Sequence, residues 1–67
     1  MLFWPVGDYY DHTSRLLGAK LEGFESEQAA QAVVDAIVAS HLKSHHVTYR
    51  VESAVSLFAL QQSGVLI

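Results

Sequence analysis

Between Ser26 and Lys43 apolar side chains recur at every third or fourth residue, and from Val47 that spacing drops to every second one. This switch constrains the chain more than any other feature. A period near 3.6 lays one apolar face along a helix, whereas a period of 2 lays one along a strand. In the helix predicted over residues 26–43, Ala30, Val33, Val34, Ile37, Val38 and His41 gather on one side, with Gln28, Gln31 and Asp35 on the wet side. Ser26 is suited to accept a hydrogen bond from a first-turn amide, and Glu27 favours the positive end of the helix dipole. Downstream, Val47, Tyr49 and Val51 alternate with Thr48, Arg50 and Glu52, a β-branched and aromatic pattern that predicts a strand.

Alternation also precedes the helix, where Leu17, Ala19 and Leu21 oppose Gly18, Lys20 and Glu22 and predict a strand from Arg15 to Glu22. Asp11-His12-Thr13-Ser14 reads as a turn that folds Leu2 to Tyr10 back onto that strand, as an edge where Pro5 is tolerated. Segment 53–63 admits two readings. As a strand, Val55 to Leu60 extends the sheet and Gln62-Ser63-Gly64 turns the chain into Val65-Leu66-Ile67; as a helix, Ser53 opens it and Gly64 closes it. The strand is the preferred reading. The expected fold class is α+β, a small two-layer sandwich with one helix (about 26–43) on a mostly antiparallel sheet, in the order ββαββ(β). The alternative is a helix-rich chain with 53–63 helical. Without repeats or a Pro/Gly/Ser-rich linker, residues 1–67 form a single compact domain.

A chain of 67 residues buries only about 60% of its unfolded surface, and with no cysteine it has neither disulfides nor thiolate-bound zinc to staple it. A partner that covers part of the sheet is therefore expected, with a homodimer or higher oligomer the simplest form. The balance of 51% hydrophobic and 16% charged residues is too apolar for disorder and too interrupted for a membrane span. Met1-Leu2-Phe3-Trp4-Pro5 lacks the basic lead and long apolar run of a leader, so a cytoplasmic location is expected. A net charge of −3, concentrated in Asp8, Asp11, Glu22, Glu25 and Glu27, disfavours direct contact with nucleic acid.

No catalytic constellation stands out: no nucleophile elbow, no phosphate loop and no pair of facing carboxylates, so the expectation is a non-enzymatic chain without cofactors. His41 and His45 have the one-turn spacing of metal ligands if the helix continues, but a histidine ending an apolar face or capping a helix accounts for them, and no metal is expected. The clustered aromatics Phe3, Trp4, Tyr9 and Tyr10 suit a protein interface, although Phe3 and Trp4 can equally fill the core with Tyr49 and Phe58. Ala32 and Ala36, with Ser40, form a small-residue stripe that would let another helix approach. These features favour a small protein-binding regulator or inhibitor that acts through its surface and self-associates. Its partner would be another protein, with the basic surface of a nucleic-acid enzyme a candidate. The alternative is a structural or assembly subunit of a homo-oligomer or larger particle. A third reading is a DNA-binding protein, because Leu57, Leu60 and Gly64 resemble the close of a helix-turn-helix recognition helix, though that segment carries no Arg or Lys.

Overall fold

A strand does begin at Val47. The computed structural model describes residues 1–40 and 47–67 and places in order β1 (Leu2–Tyr9), β2 (Ser14–Leu16), α1 (Glu27–Ser40), β3 (Val47–Ala54), α2 (Leu57–Gln62) and β4 (Val65–Leu66). The four strands form one sheet in the order β3-β1-β2-β4, antiparallel except where β2 meets β4. The α+β class is the expected one; the element order is ββαβαβ.

β1 pairs with β3 over its full length, from Leu2↔Ala54 to Tyr9↔Val47, and with β2 on its other side. It is therefore a central strand, not the edge expected from Pro5. Proline is rare there because it cannot donate to the ladder. Odd-numbered residues of β1 turn their peptide groups toward the β2 side, where Tyr9 N–H donates to Thr13 and the Pro5 carbonyl accepts from Leu17 N at 3.0 Å. The N–H that Pro5 lacks thus falls where β2 has already ended at Leu16.

The strand expected over Arg15 to Glu22 ends at Leu16. Gly18 takes φ +73, outside the extended region, and residues 18–23 loop away before Phe24 rejoins β1 through two 2.8 Å hydrogen bonds with Phe3. The loop encloses Trp4, whose Nε1 donates to the Leu21 carbonyl at 3.2 Å. Gly23, at φ +78, lies against the indole; a Cβ there would stand 2.7 Å from Trp4 Cε2.

Trp4 and Val6 share one face of β1 and pack with Leu60 and Val65, while Leu2, Leu16, Ala54 and Leu57 border them. α1 lies against β1 and β3 and buries Ala30 and Val34. Leu57 and Leu60 of the short α2 join the Trp4 cluster, whereas Ala30 and Val34 of α1 are buried outside it. Ser26 caps α1 as anticipated, accepting from Ala29 N at 3.1 Å. The helix is described as far as Ser40; its expected continuation to Lys43 lies outside the described residues.

Segment 55–60 forms no strand; the helical alternative holds there, although α2 starts later than Ser53. Ser56 is its N-cap and accepts from Ala59 N at 3.1 Å, and Gly64 at φ +103 lets the chain leave it. A helical turn brings Leu57 and Leu60 onto one side, which a strand would have split between two faces. Gly23→Ala is expected to destabilise the fold by about 1–3 kcal/mol more than Gly18→Ala in urea unfolding, the range for overpacking a filled site. Both glycines have positive φ, but a Cβ at Gly18 would meet nothing within 4 Å, so the difference isolates the collision with Trp4.

Candidate interaction surface

Along the Trp4 face of β1 the side chains run Leu2, Trp4, Val6, Asp8, so the face changes from apolar to charged at the Tyr9 end. Asp8 Oδ2 accepts from Arg50 Nε at 2.8 Å and Oδ1 from Ser14 Oγ at 2.6 Å, while Arg50 also pairs with Glu52. Three strands, β2, β1 and β3, are tied together by these half-buried groups. The Arg50 hydrogen bond, and after it that from Ser14, hold the Asp8 carboxyl below its ordinary 3.8. Asp11 is lowered as well, chiefly by the Thr13 hydroxyl and then its amide, within a turn where His12 adopts φ 68.

The aromatic cluster does not survive folding as a single patch, because neighbours on a strand point to opposite faces. Trp4 has no exposed surface and belongs to the core, so it presents nothing to a partner. Phe3 is half-buried at one end of β1; Tyr9 is half-buried at the other, with Arg15 over its ring at 5.2 Å. Tyr10 is exposed in the turn. Ala32 and Ala36 lie on the exposed side of α1, and Ala32 shares a groove with Glu27, Gln28, Gln31 and Asp35. A second groove, lined by Leu2, Lys20, Glu22, Phe24, Ser26 and Ala29, carries the 3.6 Å Lys20–Glu22 pair with the Lys20 ammonium over Phe24. His41 and His45 lie outside the described residues; among those described, no three His, Asp or Glu side chains come together as a metal site.

Two features emerge that the sequence reading did not single out. Phe58, which the sequence allowed as a core filler beside Tyr49, is 69% exposed, and Val55, three residues earlier, is 71% exposed. Helical spacing in α2 separates Phe58 from Leu57 and Leu60, while Val55 lies in the bend that precedes the helix. Leu66 and Ile67 are also about half exposed, whereas Val65 is buried. The second feature is the outer edge of β3, which no other described strand covers. No described helix is long and apolar enough to cross a membrane. No protein-family model, curated protein or solved structure matches this chain.

Because the folded-state carboxyl of Asp8 is depressed, its contribution to stability is complete above the unfolded value and is lost as pH falls through the folded one. Asp8→Asn is expected to cost about 1 kcal/mol at neutral pH, discounted for partial exposure. The variant should also lose less stability than the parent on acidification below the ordinary carboxylate range. Urea midpoints across pH 2 to 7 check both.

Proposed function

We propose that this chain is a small non-enzymatic regulator or inhibitor that binds another protein through its surface and self-associates. The observation that carries this reading is the exposure of Phe58 on α2 and of Val55 in the bend just before it. Leaving such a side chain in water forgoes about 1.5–3 kcal/mol. The described core is small, built from Trp4, Pro5, Val6, Ala30, Val34, Leu60 and Val65, so that loss is large for this molecule. An interface that seats a Phe anchor in an apolar pocket recovers it.

Charge supports the choice of partner. Asp8, Asp11, Glu22 and Glu52 are each paired with Arg or Lys, whereas Glu25 and Glu27 at the start of α1 have no ionic partner among the described residues. With Asp35 further along the exposed side of α1, they offer an acidic strip to a basic surface, such as that of a nucleic-acid enzyme. The second reading, an assembly subunit, is favoured by the outer edge of β3, which no other described strand covers.

Affinity capture from the native host, identification by mass spectrometry and binding to the purified partner test the proposal. Phe58→Ser is expected to leave folding stability within about 0.5 kcal/mol, as for surface substitutions, and to weaken partner binding at least about tenfold. A partner that binds the variant as well as the parent defeats the reading.

A further inference from the structure

β3 pairs in register with β1 without a bulge, and in this pairing the peptide groups of Thr48, Arg50, Glu52 and Ala54 point inward to Leu2, Trp4, Val6 and Asp8. Those of Val47, Tyr49, Val51 and Ser53 therefore point outward, and no described residue pairs with them. Folded proteins usually blunt such an edge with Pro, Lys, a bulge or brevity. β3 carries no Pro or Lys and is eight residues long. β4, the opposite edge, has only two.

A lone charge in the middle of an edge strand would oppose pairing. Arg50 and Glu52, of opposite sign and two residues apart on one face, do the reverse when the strand meets its own copy antiparallel. We propose that β3 joins β3 of a second copy of this chain about a two-fold axis at Val51, making one continuous sheet across the dimer. In this register Arg50 lies opposite Glu52 of the second copy on both sides of the axis, Val51 faces itself, and Tyr49 faces Ser53. The outward peptide groups of Tyr49, Val51 and Ser53 then exchange about six backbone hydrogen bonds. Moving the axis one residue either way sets Arg50 against Arg50 or Glu52 against Glu52, and like charges directly opposite destabilise a sheet. Within one chain Arg50 donates to Asp8 of β1 at 2.8 Å and pairs with Glu52, so the opposed charges across the axis would extend an ion network already present on this face. The pairing deepens the self-associating part of the function proposed above and names its surface.

Charge variants provide the test. Glu52→Arg leaves two cations on the edge and Arg50→Glu leaves two anions, so each repels itself and attracts the other. Sedimentation from micromolar to millimolar concentration is expected to show the parent chain reaching twice its 7.4 kDa mass. Each variant should self-associate at least about tenfold more weakly, and an equimolar mixture should recover the dimer. In the parent chain, the amides of Tyr49, Val51 and Ser53 gain exchange protection with concentration. Mixed labelled and unlabelled copies show an NMR contact between the Arg50 and Glu52 α-protons, which are too far apart within one strand. That last measurement decides the matter if a variant fails to fold. A parent chain that stays monomeric overturns the pairing while leaving the Phe58-dependent partner binding intact. A dimer whose β3 amides exchange freely and whose mass ignores the charge changes also overturns it, and moves self-association to another surface.

Discussion

Enclosing Trp4 is the constraint on which the rest of this fold depends. An indole removes roughly 200 Å² from water, worth about 5 kcal/mol at 25 cal/mol per Å², a large part of the net stability a small domain possesses. Trp4 sits on the central strand, so β3 and the β2 side flank its backbone while Leu60 and Val65 pack with it on its own face. The loop of residues 18–23 completes the enclosure, with Leu21 supplying the carbonyl that the indole N–H requires and Gly23 the close contact. A buried N–H without that acceptor would cost a large part of what the ring gains.

The shape of the sheet follows from this arrangement. β2 is short because the chain must leave the ladder to cover Trp4, and Pro5 is tolerated in β1 because the ladder is interrupted at that place. Toward Tyr9 the requirement changes from excluding water to satisfying charge, and Asp8 answers it by accepting from both neighbouring strands. The same Arg50 that is held by Asp8 lies on β3, whose outer edge no other described strand covers, so one side chain ties the sheet internally and sets the charge pattern of its border.

Much of the architecture was legible locally. α1 with its Ser26 cap, the turn near Asp11 and the strand from Val47 all rest on interactions within a few residues of one another. The candidate surface was less so. Phe3, Trp4, Tyr9 and Tyr10 are adjacent in sequence, but strand geometry sends them to different faces and ends, and one of them into the core. Phe58 is a large aromatic that could have helped Phe3 and Trp4 fill the core, and the helical period of α2 turns it outward.

The sequence by itself determined where helix and strand periods lie and which side of α1 is apolar, because backbone sterics and side-chain spacing act within single elements. Tertiary structure alone decided that β1 is central, that β2 ends at Leu16 and that residues 57–62 coil into a helix. The apolar run of that last segment is compatible with either period. The difference comes from Trp4, distant in sequence, against whose cluster one helical turn can lay both Leu57 and Leu60.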